Sequence, residues 1–130
     1  MMKELVLFYS NGSGFRLKQG ILGMIEDWEK RCCIREAQSL DALAALLREP
    51  EYRPQIGLFA FESRKEILGL IAMRDLLGDL PLLLILPDQT AETVSLAHRL
   101  RPRLVAAKGQ DLAEVALVLE KMLLAMERPS

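Results

Sequence analysis

"LPLLLILPDQTAETVSLAHRLRPRLVAA", Leu80 to Ala107, contains one complete repeat of the fold. Leu80–Leu86 is apolar throughout, yet far shorter than the ~20 residues a membrane helix needs. It reads as a strand buried on both faces. Asp88 or Thr90 then supplies an N-cap for a helix running to about Leu100, which Pro102 stops. Arg103–Ala107 is short, apolar and strand-like. A strand, a helix and a second strand with no polar face make a parallel crossover, because antiparallel neighbours commonly leave one face wet.

The same unit recurs on the amino-terminal side. Leu5–Tyr9 is a strand stopped by Ser10-Asn11-Gly12-Ser13-Gly14. Leu17, Ile21, Leu22, Ile25 and Trp28 share one stripe, which predicts a helix from Phe15 to Trp28. Arg31–Glu36 is a second strand. Ser39 caps a short helix carrying Ala42, Leu43, Leu46 and Leu47, which ends before Pro50. Gln55–Phe61, "QIGLFAF", is a third strand, and Ser63 caps a helix from Arg64 toward Leu77 that Gly78 ends. Beyond Ala107, Asp111 caps a last helix running toward Met126.

Five β-α units predict an α/β fold: a three-layer, doubly wound (βα)5 domain with a five-stranded parallel sheet in the order 2-1-3-4-5. Ligand and reaction sites in such sheets lie at the carboxyl ends of the strands. Here those ends follow Tyr9, Ala60, Leu86 and Ala107. The 130 residues suit a single domain over 1–127, with 128–130 a frayed tail.

Composition narrows the function classes. A net charge of −1 gives no bulk attraction to nucleic acid or anionic lipid. No signal-peptide pattern precedes the first strand, and Cys32 and Cys33, adjacent in a strand, are poorly placed to bond each other. Both features lead us to expect a cytoplasmic protein with reduced thiols. His98 is the sole histidine and falls on a helix away from the strand ends, so no Ser/His/Asp or Cys/His set and no metal site is expected.

The strand ends lack acid. Ser10 and Asn11 follow the first strand, Ala60 and Phe61 close the third, Leu86 and Pro87 the fourth, and Lys108 the fifth. Glu62 and Glu66 are expected in the next loop and first helical turn. The chain resembles the receiver domain of two-component response regulators over nearly its whole length. The likeness is strongest in "AMRDLLGDLPLLLILPDQTAE" and "RPRLVAAKGQDLAEVALVLEKML", and "AQSLDALAALL" is similar to the usual second helix. Carried over residue by residue, the family's acidic pair falls on Ser10 and Asn11. Its phosphoacceptor aspartate falls on Ala60, or one residue later on Phe61. Its switch hydroxyl falls near Leu86 and its lysine on Lys108, with Gly109 where a proline usually follows. The resemblance thus implies the receiver fold, but with neither the Mg²⁺ site nor the acyl phosphate. It implies a degenerate receiver that works through protein partners in two-component-type signalling, without enzymatic activity or a cofactor.

Two alternatives attach to these positions. Ser10, Asn11, Gly12, Ser13 and Gly14, with Lys108, form a candidate anion-binding loop, similar to the loop with which flavodoxins hold the phosphate of flavin mononucleotide. A plain capped turn explains the same residues, and Lys108 reads equally as a solvated lysine. Glu62 is a candidate acceptor for an unorthodox phosphorelay, without an acidic pair beside it.

Surfaces carry the remaining signal. In the last helix Leu112, Val115, Ala116, Leu119, Met122, Leu123 and Met126 form a docking stripe. Leu117, Val118, Leu124 and Ala125 widen the apolar arc beyond it, which predicts a homodimer or partner face. The resemblance points the same way, since receivers commonly use the face made by the fourth helix, fifth strand and fifth helix. Phe15, Arg16, Lys18 and Gln19 form a further surface beside the strand ends.

Overall fold

The computed structural model describes residues 4–12, 14–107, 109 and 112–127. Five strands, β1 (Glu4–Ser10), β2 (Cys33–Ala37), β3 (Ile56–Ala60), β4 (Leu82–Leu86) and β5 (Leu104–Ala107), form one parallel sheet in the order β2-β1-β3-β4-β5. Every residue of β3 and β4 is buried, as expected of strands covered on both faces.

Alternation along the strands divides the core into two layers. Leu7, Tyr9, Phe59, Phe61, Leu82, Leu84 and Leu86 point one way. They meet Leu43 and Leu46 of α3 (Leu40–Arg48), Ile67 and Leu70 of α4 (Arg64–Ala72), Leu77 of α5 (Arg74–Leu77) and Ala97 of α6 (Ala91–His98). Val6, Ile56, Leu58, Ala60, Leu83 and Ile85 point the other way. They meet Ile21 and Leu22 of α1 (Gly14–Leu22) and Val115, Ala116, Leu119 and Leu123 of α7 (Ala113–Glu127). Trp28, which opens α2 (Trp28–Arg31), packs half-buried on this second layer.

Caps and close contacts fix the frame. Ser39 Oγ accepts from the Ala42 amide at 3.0 Å and starts α3 as expected. Gly57 lies at the centre of β3, where an added Cβ would stand 2.8 Å from Leu82 Cδ2 and 3.2 Å from both Leu80 Cδ2 and Phe59 Cε1. Only glycine lets those side chains close over the sheet at that point.

Two helices differ from the expectation. The helix predicted over Phe15–Trp28 stops at Leu22. The Gly23 amide completes its last turn on Gln19 O at 2.8 Å, the next two amides bond three residues back, and Asp27 adopts a left-handed φ of 53° that turns the chain into α2. Gly20 and Gly23 weaken helix propagation here. The helix predicted over Arg64–Leu77 breaks at Met73 (φ −108°, ψ 18°), whose amide bonds Leu70 O, so α4 and α5 are separate turns of chain. The remaining boundaries move by one or two residues. Asp111, expected to cap α7, lies outside the described residues.

Candidate functional site

Parallel pairing sets the strand ends side by side. Ser10 is in register with Ala60, Ala60 with Ile85, and Leu86 with Ala107. Three of the positions singled out in the sequence, Ser10, Ala60 and Leu86, therefore lie along one edge of the sheet. Asn11 and Gly12 follow Ser10 in the β1–α1 loop and are exposed. Ser13 and Lys108 lie outside the described residues.

Ser10 is buried at 8 % exposure, and its Oγ has no hydrogen-bond partner among the described residues. An unsatisfied buried hydroxyl costs about 1–3 kcal/mol. Ala60 places a buried methyl beside it, and Phe61 turns its ring into the core against Tyr9, 6.0 Å between centroids. Neither position assigned to a phosphoacceptor carries an oxygen on its side chain. Leu86 is buried in the core and brings no hydroxyl.

The carboxylates nearby come from the β3–α4 loop, and the structure gives them different roles. Glu66 is buried and fully engaged. Tyr9 donates its hydroxyl to Oε1 at 2.6 Å, while the Glu62 and Ser63 amides donate to Oε2 at 2.7 and 3.1 Å. The bond from the Ser63 amide is the glutamate side of a capping box, for which Ser63-Arg64-Lys65-Glu66 has the required spacing. Burial, followed by the hydrogen bond to Glu66 and its charge, pushes the Tyr9 phenol well above its ordinary range. Glu62 is exposed and leans over the β1–α1 loop. Its Oε1 lies 3.5 Å from where a Cβ on Gly12 would stand, and Gly12 itself has φ 118°. The structure thus brings Glu62 beside Gly12, which sequence order alone does not reveal.

Asp88, after β4, serves the helix. It accepts from the Thr90 amide at 3.0 Å and the Thr90 hydroxyl at 2.8 Å, and Thr90 Oγ1 in turn accepts from the Thr93 amide as the N-cap of α6. The hydroxyls of Thr93 and Thr90, then the Thr90 amide, hold the Asp88 carboxyl below the usual carboxylate range. Of the two caps the sequence offers, Thr90 is the one used.

Mg²⁺ needs several hard oxygen ligands, usually with at least one or two carboxylates. Ser10, Asn11 and Ala60 do not supply that set, and no group of three or more His, Cys, Asp or Glu side chains able to hold a metal exists among the described residues. The ion that the resemblance would bring to these strand ends does not fit the residues present.

On the surface of α7, Leu117 is 51 % and Leu124 46 % exposed, and Ala125 is exposed beside Leu124. Val118 lies at the margin of that arc, half-buried against the core. Lys18 of α1 is ion-paired with Glu36 of β2, which ties part of the α1 surface to the sheet edge. Cys32 is buried, Cys33 half-buried, and neither forms a disulfide among the described residues. No described helix is long and apolar enough to cross a membrane.

No family model and no curated protein matches the chain. Solved structures do. A two-component response regulator from Legionella pneumophila superposes with a TM-score of 0.71 at 18% identity, covering 94% of this chain and 99% of that one. A CheY-like response regulator from Mesorhizobium loti gives 0.68 at 17% identity, covering 91% and 98%. The phosphorylated cyanobacterial phytochrome response regulator RcpA gives 0.66 at 15% identity, covering both chains completely. At these identities the likeness is one of architecture. With the strand order and layer arrangement above, it places the chain on the flavodoxin-like receiver scaffold of two-component response regulators.

Proposed function

We propose that the chain is a phosphorylation-independent receiver-like module that acts by binding other proteins in two-component-type signalling, without enzymatic chemistry or a cofactor. The observation that carries this reading is the register of Ser10 with Ala60: the edge of the sheet where a receiver would gather its carboxylates presents a hydroxyl and a methyl. Glu62 lies over the adjoining β1–α1 loop, and the other glutamate of its segment, Glu66, is occupied by Tyr9 and two amides.

Mass spectrometry and NMR of the chain with Mg²⁺ and acetyl phosphate, or with beryllofluoride, test it. The expected result is no added mass and no change of spectrum. Stoichiometric phosphorylation at any strand-end residue, Glu62 included, would overturn it.

The output surface in this reading is the apolar arc of α7. Leu117 and Leu124 are one heptad apart on its outer face with Lys121 between them, and a second copy or a protein partner would cover them.

One observation favours a second reading, anion binding at the strand ends. Ser10 Oγ is buried without a partner among the described residues, next to a loop whose Gly12 holds a positive φ. Such a loop presents backbone amides to phosphate. Ser13, Gly14 and Lys108 complete the candidate set. Stabilisation of the chain by phosphate or flavin mononucleotide, lost in Ser10→Ala, would support this reading. Unchanged melting with either would remove it.

A further inference from the structure

At the opposite pole, where the strands begin, the loops entering β4 and β5 enclose a cleft of about 530 Å³. Its lining carries Arg74, Arg99, Arg101 and Arg103, and Leu80 and Pro81 lie half-buried between them above the buried Leu77, Leu82 and Leu100. We propose that this cleft binds a small phosphate ester of the nucleotide class, the arginines taking the phosphates and the apolar residues between them the body of the ligand.

Three observations carry the assignment. The first is charge left unmatched. No described residue forms an ion pair with any of the four arginines. Asp75 and Asp79 line the same cleft but stand outside ion-pair distance of them. Four guanidinium groups against two carboxylates leave the cleft positive in a chain whose net charge is −1. Arginine is the side chain best shaped for phosphate, since its planar fork donates two parallel hydrogen bonds.

The second is placement. Arg99 and Arg101 follow the carboxyl end of α6, where a cation also suits the helix dipole. Arg74 opens α5 and Arg103 leads into β5, so the dipole of α6 does not account for them. Arg101 holds a left-handed φ of 53°, a conformation that favours glycine.

The third is shape. The volume falls within the range of small-molecule sites, about 300–1,000 Å³. The lining contains no aromatic platform of the kind on which single-stranded nucleic acid stacks. A compact ligand with clustered negative charge and an apolar body therefore suits the cleft better than a polymer does.

NMR titration of the ¹⁵N-labelled full chain with ATP, with pyrophosphate and with adenosine provides the test. ATP should move the amides of Leu77–Leu82 and Arg99–Arg103, pyrophosphate the same amides at higher concentration, and adenosine none of them. Arg99→Gln/Arg103→Gln should keep the native spectrum and bind ATP about tenfold more weakly. Arg101→Gly should melt higher, by relief of the left-handed strain, and also bind ATP more weakly. The assignment fails if ATP at millimolar concentration leaves these amides unmoved, or moves those of Ser10–Gly14 instead. It fails too if pyrophosphate binds as tightly as ATP, which would leave the apolar residues idle. A rise in melting temperature of Arg101→Gly with unchanged ATP affinity would give the arginines a helix-end role only and would overturn it as well.

Discussion

Tyr9 and Glu66, 57 residues apart in sequence, form a buried pair between the end of β1 and the start of α4. Removing the hydroxyl in Tyr9→Phe leaves a buried carboxylate with only its two amide donors, which should cost about 1–3 kcal/mol in urea unfolding at neutral pH. The same pair sets an alkaline limit. The folded phenol ionises well above the ordinary tyrosine value of about 10. Its contribution to stability is therefore complete below that value and is lost as pH rises toward the folded one. Tyr9→Phe should lack this part of the alkaline loss, and equal slopes for the two proteins between neutral and strongly basic pH would refute the assignment. Little of this pair can be read from the chain. The capping spacing of Ser63 and Glu66 is visible, but the phenol that fills the other carboxylate oxygen arrives only through sheet register. The neutral character of Ser10 and Ala60 is legible, because parallel strands bring their last residues together whatever the loops do.

Elements divide in the same way. The apolar runs of β3 and β4 can be recognised because burial on both faces leaves no polar position. The helix breaks cannot: Leu70, Met73 and Leu77 fit one continuous stripe and also two short turns. Gly57 illustrates how tightly the finished elements fit. Gly57→Ala forces a Cβ against Leu82, Leu80 and Phe59, and overpacking of this kind should lower stability by about 1–3 kcal/mol. A gain in stability would mean that the side chains over β3 are looser than described. In α7 the two faces should separate cleanly. Leu119 has 0 % exposure, so Leu119→Ala should cost about 2–5 kcal/mol. Leu117→Ser/Leu124→Ser should leave unfolding within about 0.5 kcal/mol of the original, as surface changes do.

For the whole molecule, that double variant addresses the output surface. Sedimentation velocity over a range of concentrations should show self-association of the original chain and its loss in Leu117→Ser/Leu124→Ser. A chain that stays monomeric at high concentration would remove the second copy as the occupant of the arc. The two helical layers share one sheet, so they should unfold together. Their aromatic residues allow a direct check. The sole tryptophan, Trp28, packs in the layer of α1 and α7, while Tyr9 and Tyr52 lie in the layer of α3 to α6. Each side of the sheet therefore carries its own optical reporter without any label. Indole emission follows one helical coat and phenol absorbance the other. Overlaid melting curves would mean that the coats are shed as a unit. A lag between the two colours would identify which coat comes away first, and so which side of the protein has slack for a partner to use.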